Sequence, residues 1–351
     1  MRVLGANMYG DSSVLEFQDV DTAELLPDDI LVEVRYTDVN PVDLQKLAGR
    51  DDQRGKPIAN SPHVPGYGGS GEVRDIGANV SSFSKGDSVC FLADPSRRGS
   101  YASHIVVNAN CVAKLGLKLD GTLGVPLREA ACVPVAGLTA YETLQKCCIR
   151  GKKSLLVVGG AGGVGSWTIV LAKVMDPDIV VVATASTEEQ REWCKSLGVS
   201  HAFPHDEIEK HLQGGRAGSM DAIVCLTEPT PDLFSTLSNV IKPYGTICLV
   251  VAGKSIESMN LGFCFFKCAN VVTETVFSSI RTDCTKIDPA EEMSQILEWI
   301  ADGRVTVPLS PDLATNKVEE NLSDALKENG VLKVLSQPHG KRGKLVMNVK
   351  I

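Results

Sequence analysis

Hydrophobic residues follow two different patterns along the chain, and the change comes near residue 127. Before that point, apolar and polar residues alternate in short runs, which predicts β-strands with one buried face. The clearest run is 30–37, with Ile30, Val32, Val34 and Tyr36 on one face and Glu33, Arg35 and Thr37 on the other. Turn-forming residues separate further short apolar runs at 88–92 and 102–107. This part of the chain is therefore predicted to form a compact, barrel-like β domain.

After residue 127, buried apolar runs alternate with segments of helical periodicity, which predicts a parallel sheet covered by helices. The predicted strands are 155–158, 180–185, 221–226, 245–251 and 271–276, and the predicted helices include 138–144, 187–197 and 290–301. Ser186 and Glu189 have the spacing of a capping box. A strand at 344–349 is expected to rejoin the β domain. We predict an α/β protein with two domains, 1–127 with 285–351 and 128–284, the second a doubly wound parallel sheet.

A glycine-rich turn joins the strand at 155–158 to a helix. Its residues are Gly160, Ala161, Gly162, Gly163, Val164 and Gly165. In this strand–turn–helix context, G-x-G-x-x-G is typical of dinucleotide binding. The first glycine makes the tight turn, the second lets the backbone approach a pyrophosphate, and the third lets the helix pack on the strand. The N–H groups and the dipole at the helix start hold the phosphates. The alternative is a purely structural turn.

Composition and charge exclude several classes of protein. The 351 residues are 43% apolar and 22% charged, as in ordinary globular proteins. The net charge of −8 argues against nucleic acid as the main partner. No apolar run approaches the roughly 18 residues of a spanning helix, and the first residues lack the apolar core of a signal peptide. We therefore expect a cytoplasmic protein that does not bind a membrane.

The eleven cysteines include no C-x-x-C pair. In a reducing compartment they are expected to be small apolar core residues. A disulfide framework or a cysteine zinc site is the less favoured alternative.

Several stretches, taken in order, resemble the medium-chain dehydrogenase/reductase superfamily. They are 39–43, 71–77, 85–87, 99–102, 138–141, the glycine turn, 183–186, 196–198 and 340–344. The chain is most similar to the zinc-free quinone oxidoreductases, which include zeta-crystallin, and to bacterial zinc-type alcohol dehydrogenase-like proteins. The resemblance implies a GroES-like β-barrel catalytic domain, a Rossmann domain, a homodimer, and NAD(P)H-dependent reduction of quinones or conjugated carbonyls.

Zinc enzymes of this superfamily place a cysteine ligand where this chain has Asn40, and a second ligand in a Gly-His-Glu triplet. Here the triplet reads Gly66-Tyr67-Gly68. The four closely spaced cysteines of the structural zinc lobe are absent between Cys90 and Cys111. The resemblance therefore implies no zinc.

The end of the second Rossmann strand bears on the choice between NADPH and NADH. NAD-preferring sites usually have an Asp or Glu there, whereas this chain has Ser186, which could donate to a 2′-phosphate. Thr187 stands where relatives often have Lys or Arg, and Arg191 could substitute for that cation or be a plain exposed helix residue. Glu188 and Glu189 would repel a phosphate if they faced it. NADPH is favoured, and NADH remains possible.

The resemblance also implies contacts for the rest of the cofactor. His205 is expected beside the adenosine, with a loop histidine as the alternative. Asn40 and Thr139 are expected near the nicotinamide, which Val251 and Ala252 flank.

Two further residues have open roles. Tyr67 could donate a proton, or it could be a packed tyrosine. Lys344 could contact the cofactor, but a lysine that faces solvent is the favoured interpretation. An alcohol dehydrogenase that works without zinc, and a cofactor-binding structural or regulatory protein, are the alternative functions.

Overall fold

The computed structural model describes residues 1–50, 52–212, 214–215, 217–282, 287–314, 321–327, 330–336 and 342–349. Backbone contacts divide the chain into two compact units. Unit 1 comprises 1–138, 277–338 and 344–351, and unit 2 comprises 139–276 and 339–343. The first break lies past residue 127 because the helical segment that follows it packs on the sheet of unit 1. In that segment, the carbonyl of Leu127 accepts a hydrogen bond from the Ser70 hydroxyl at 2.6 Å.

Strands and α-helices alternate from residue 154 to residue 273 of the described chain, whereas the strands before that region mostly follow one another directly. The strands are β1 (Arg2–Gly5), β2 (Glu16–Asp19), β3 (Asp29–Val39), β4 (Gly68–Ile76), β5 (Ser88–Leu92), β6 (His104–Asn108), β7 (Val112–Lys114), β8 (Ser154–Val158), β9 (Val180–Thr184), β10 (His201–Phe203), β11 (Met220–Cys225), β12 (Ile241–Leu249), β13 (Asn270–Thr273) and β14 (Leu345–Asn348). The α-helices are α1 (Pro41–Ala48), α2 (Leu127–Ala130), α3 (Leu138–Lys146), α4 (Gly163–Met175), α5 (Glu188–Ser196), α6 (Ile208–His211), α7 (Pro231–Val240), α8 (Gly262–Phe266), α9 (Ser278–Arg281), α10 (Pro289–Ala301), α11 (Pro311–Ala314) and α12 (Val331–Ser336). A π-helical turn, Val133–Gly137, leads into α3.

Unit 1 contains an antiparallel sheet in the order β14-β3-β4-β5-β7, and β6 also pairs with β3. The last strand of the described residues therefore pairs with the sheet of unit 1. Along β3 the predicted alternation holds through Val34 and then fails, because Tyr36 is half-buried and Thr37 is fully buried. The register between β3 and β4 shifts between Val34 and Tyr36. A bulge of this kind moves the following side chains to the other face of the sheet, so the prediction of an outward Thr37 is wrong.

Unit 2 contains a six-stranded parallel sheet in the order β10-β9-β8-β11-β12-β13. Counted along the unit's own strands, this is the order 3-2-1-4-5-6 of a doubly wound Rossmann sheet. The predicted fold class is confirmed. The strand order reverses between β8 and β11, and ligands of such sheets bind beyond the carboxyl ends of the strands at that point.

The helix after β9 begins one residue later than the sequence pattern predicts. Its N-cap is Thr187, whose hydroxyl accepts a hydrogen bond from the Gln190 N–H at 3.3 Å. The Gln190 side chain accepts in turn from the Thr187 N–H. The capping box is therefore formed by Thr187 and Gln190, and the predicted pair of Ser186 and Glu189 is wrong by one position.

Eight of the ten cysteines that the structure describes are buried, as expected of core residues; only Cys148 and Cys268 are exposed. Cys284 lies outside the described residues. Within the described part of the chain, no helix has the length and apolarity needed to cross a membrane. The homodimer and the cytoplasmic location stay predictions.

Candidate active site

The glycine turn lies at the carboxyl end of β8, and α4 begins within it. Gly162 is the N-cap of this 13-residue helix, and no side chain caps it. The first N–H groups of a helix have no acceptor inside the helix. Together with the helix dipole, these N–H groups form a site that suits the diphosphate of a dinucleotide.

The space around three glycines shows what each position requires. A Cβ atom on Gly165 would lie 2.4 Å from the carbonyl oxygen of Gly159, and one on Gly160 would lie 2.8 Å from the Cβ of Ala183. A Cβ atom on Gly162 would meet no described atom closer than 3.8 Å. Packing therefore requires glycine at the first and third positions of the motif but leaves the second position open. This space fits the close approach of a diphosphate to the backbone.

A hydrogen-bonded pair fixes His205 next to the glycine turn. The Thr184 hydroxyl, at the end of β9, lies 2.7 Å from Nδ1 of His205 and accepts a hydrogen bond from the Gly159 N–H at 3.3 Å. Partial burial lowers the pKa of His205, so the ring is neutral near pH 7. Sequence reasoning missed Thr184, although its place as the last residue of β9 was a usable signal.

Arg191 lies against the end of β9. Its Nη1 donates to the carbonyl oxygens of Ala185 and Ser186 at 3.2 and 3.1 Å, and its Nη2 lies 2.7 Å from a carboxylate oxygen of Glu188. Its side chain is 17% exposed, so it is not a plain exposed helix residue. The structure thus places the guanidinium beside Ala185 and Ser186, where it is paired with the Glu188 carboxylate.

The other predicted cofactor contacts lie farther along unit 2. Val251 and Ala252 follow the carboxyl end of β12. Val251 is half-buried and Ala252 is exposed. Thr139 is buried in the first turn of α3. One contact at the glycine turn was not predicted from the sequence. The N–H of Gly343, near the end of the chain, donates a hydrogen bond to the carbonyl oxygen of Ala161 at 2.9 Å.

In unit 1, Asn40 connects β3 to α1 as the N-cap of the helix. Asp43, in the first turn, accepts from the backbone N–H of Asn40 at 2.7 Å and from the Tyr101 hydroxyl at 3.0 Å. Asp43 is fully buried. Burial, with the charge of the neighbouring Asp38, raises the pKa of Asp43 to about 7. Sequence reasoning missed Asp43 and Tyr101 as parts of the site.

Lys344 is buried against the same residues, with 1% of its surface exposed. Its Nζ donates to Oδ1 of Asn40 at 2.5 Å and to the carbonyl oxygen of Val39 at 2.8 Å. It also lies 3.5 Å from a carboxylate oxygen of Asp38. The expectation that Lys344 faces solvent is therefore wrong.

Tyr67 is fully buried within unit 1. Its ring packs edge-to-face on Phe277 with 5.7 Å between centroids, and its hydroxyl lies 3.4 Å from Nε2 of His63. Burial, reinforced by the charge of Asp43, raises the pKa of Tyr67 well above its usual range. The phenol therefore keeps its proton, and its surroundings are those of a packed tyrosine.

The side chains at the places of the superfamily's zinc ligands do not make a suitable donor set for zinc. Zinc ligands are thiolates, neutral imidazoles and carboxylates, whereas Asn40 offers an amide oxygen that already faces an ammonium group. Tyr67 offers a phenol that keeps its proton. Among the described residues, no three His, Cys, Asp or Glu side chains are grouped so that they could hold a metal ion.

Two family models and a curated relative match this chain. A family model described as the alcohol dehydrogenase GroES-like domain matches residues 26–141, and one described as zinc-binding dehydrogenase matches residues 163–302. A zinc-type alcohol dehydrogenase-like protein of Staphylococcus aureus is 31% identical over 331 residues, which cover 92% of this chain and 91% of that protein.

Two further proteins are similar in sequence or in fold. The 2-methylene-furan-3-one reductase of Solanum lycopersicum is 35% identical over 204 residues, 56% of this chain and 50% of that protein. The structure of the Escherichia coli quinone oxidoreductase complexed with NADPH superposes with a TM-score of 0.77 at 20% identity, covering 99% of this chain and 100% of that one. With its GroES-like domain, its Rossmann domain and its nearly full-length similarity to the S. aureus protein, the chain belongs to the medium-chain dehydrogenase/reductase superfamily of oxidoreductases.

Proposed function

We propose that this protein is an NADPH-dependent reductase of quinones or α,β-unsaturated carbonyl compounds that works without a metal. The observation that carries the proposal is the ammonium of Lys344, 2.5 Å from Oδ1 of Asn40. A fixed positive charge on this oxygen opposes the binding of a metal cation at the same place. The name of the tomato relative, a 2-methylene-furan-3-one reductase, supports the substrate class.

Without a metal to polarise a simple ketone or aldehyde, an acceptor that is already electron-poor is the easier one to reduce. When bound, NADPH would supply a hydride to the electron-poor acceptor. A proton from water would complete the reduction, so that an enone gives the saturated carbonyl compound and a quinone gives the hydroquinone. In this scheme the start of α4 binds the diphosphate and His205 contacts the adenosine. Thr139, Val251 and Ala252 orient the nicotinamide.

Parallel assays with three acceptors test the proposed reaction. Oxidation of NADPH is followed by absorbance with phenanthrenequinone, an enone and an aliphatic aldehyde, and zinc is measured in protein purified without added metal. We expect turnover with the quinone or the enone and little with the aldehyde. Turnover of the aldehyde alone would indicate an alcohol dehydrogenase. NADPH binding without turnover would indicate a binding protein, and one zinc per chain would contradict the metal-free mechanism.

The preference for NADPH is expected to depend on Arg191. Replacing Arg191 with Ala removes the guanidinium that donates to the carbonyl oxygen of Ser186, just past the end of β9. A charge-assisted contact to a phosphate contributes about 1.5–3 kcal/mol, so we expect the KM for NADPH to rise roughly tenfold or more. The KM for NADH should change little, because NADH has no 2′-phosphate. Steady-state kinetics with both coenzymes measure the two effects.

Two further variants of α5 sharpen this test. Glu188→Gln removes the carboxylate that shares the guanidinium charge, and it should lower the KM for NADPH. Lys195→Ala breaks a similar i,i+3 ion pair, with Glu192 on the same helix, and should change neither KM. Equal use of the two coenzymes by the unmodified protein would contradict the assignment.

A further inference from the structure

The Lys344 side chain makes contacts that do more than anchor the strand that follows it. Its ammonium group faces three oxygens, on Asp38, Val39 and Asn40. An ammonium group has three donors and no acceptor capacity. Two of these donors bind Val39 and Asn40, and the ion pair with Asp38 holds the ammonium in place. We therefore expect its effect on the reaction to pass through these neighbours.

The contact with Lys344 also decides how the carboxamide of Asn40 is oriented. The oxygen and nitrogen of an amide are assigned from their hydrogen-bond partners. Since the ammonium can only donate, the atom that faces it must be Oδ1. The Nδ2 group then points away from Lys344. Asn40 is 5% exposed, and no described residue accepts a hydrogen bond from its Nδ2.

A buried N–H group without an acceptor costs free energy, and such a group in a native protein needs an explanation. An acceptor oxygen on a bound ligand would provide one. The ammonium on the oxygen of the amide also withdraws electron density from its nitrogen, and chains of hydrogen bonds strengthen one another in this way. Asn40 is therefore held as a fixed and polarised donor.

We propose that Lys344 is a positioning residue, which holds Asn40 so that Nδ2 donates a hydrogen bond to the carbonyl oxygen of the acceptor. This inference rests on the proposed reductase function. Addition of hydride to a quinone or an enone places negative charge on that oxygen. A donor already aimed at it binds the transition state more strongly than the substrate and so accelerates the reaction.

Lys267 shows what a buried lysine with a purely structural role looks like in this protein. It is 5% exposed, and its Nζ donates to the backbone carbonyls of Ser238, Asn239 and Ile241 at 2.7–3.0 Å. All of its partners are main-chain oxygens in unit 2. Lys344 differs because one of its partners is a side chain with a free donor of its own. Lys267 therefore provides the matched control.

A double-mutant cycle tests the inference. Asn40→Ala and Lys344→Met are each expected to lower kcat with the quinone roughly 100-fold, the usual effect of losing one such donor. The Kd for NADPH should stay within about threefold, because hydride acceptance and not cofactor binding is impaired. The double variant should be no slower than Asn40→Ala alone, since both residues act on the same hydrogen bond. Losses that simply multiply would overturn the inference.

Lys267→Met is the control for the loss of a buried ammonium. It should lower the melting temperature and leave kcat unchanged. If Lys344→Met behaves in the same way, Lys344 is structural and the inference is wrong. If Lys344→Met does not fold, Lys344→Met combined with Asp38→Asn removes the ion pair as a whole, and the same loss of kcat is expected from this variant.

A spectroscopic measurement separates this inference from the proposed function. In protein labelled with 15N-asparagine, the side-chain NH2 signals of Asn40 are identified by their loss in Asn40→Ala. Lys344→Met should shift them, whereas Lys267→Met should not. Unshifted signals would overturn the inference whether or not the protein turns over. A shift in a protein that reduces none of the acceptors would leave the positioning contact intact and contradict the reductase function instead.

Discussion

Replacing Gly162 with Ala is expected to weaken NADPH binding by roughly 100-fold or more while leaving the melting temperature unchanged. The new methyl group would meet no described atom closer than 3.8 Å, so the folded protein accommodates it. The same methyl group would occupy the space into which the second glycine of the motif admits a pyrophosphate. Fluorescence titration with NADPH and thermal unfolding measure the two effects separately.

Two other glycines provide the controls. A Cβ atom on Gly165 would lie 2.4 Å from the carbonyl oxygen of Gly159, so Gly165→Ala should lower the melting temperature as well as the affinity. A Cβ atom on Gly116 would have no described atom within 4 Å, so Gly116→Ala should change neither. Unimpaired binding of NADPH by Gly162→Ala would mean that the diphosphate is not bound at this turn.

The fold could be predicted because its signals are local. The apolar run of β8, the glycine turn and the helical spacing of α4 follow one another within about twenty residues, and each predicts its own structure without any distant contact. The order of the parallel sheet then follows from the general rules for doubly wound domains. The same locality lets the sequence predict where a dinucleotide would bind in unit 2, and that site stays a prediction.

The polar cluster of unit 1 could not be predicted, because its members meet only in the folded chain. Lys344 and Asn40 are 304 positions apart, and no periodicity relates them. The bulge in β3 could not be predicted either, because it depends on the register with β4. It turns the Thr37 side chain inward, against the expected alternation. For Arg191, the sequence suggested a place near the phosphate but could not show that its guanidinium forms an ion pair with Glu188.

A buried carboxyl group is expected to make the stability of this protein depend on pH. Burial and the charge of Asp38 raise the pKa of Asp43 from 3.8 to about 7. Between these values the folded state binds more protons than the unfolded state, so the free energy of unfolding falls as pH rises and levels off above about 7. At about 1.4 kcal/mol per pKa unit, the free energy of unfolding falls by about 4 kcal/mol in total across this pH range.

Comparison with Asp43→Asn isolates this contribution, because the amide does not titrate. Histidines with pKa values lowered by burial, among them His63 and His205, give the opposite slope below about pH 6.5, but they are present in both proteins. The difference in unfolding free energy between the two proteins, measured in urea at several pH values, should therefore change steadily between about pH 4 and 7. Asp120→Asn alters an exposed carboxyl whose pKa is lowered, so its contribution changes only below about pH 4 and its difference should stay constant between about pH 4 and 7. A constant difference for Asp43→Asn would mean that Asp43 ionises at its ordinary pKa, and that the charge of Lys344 compensates its burial.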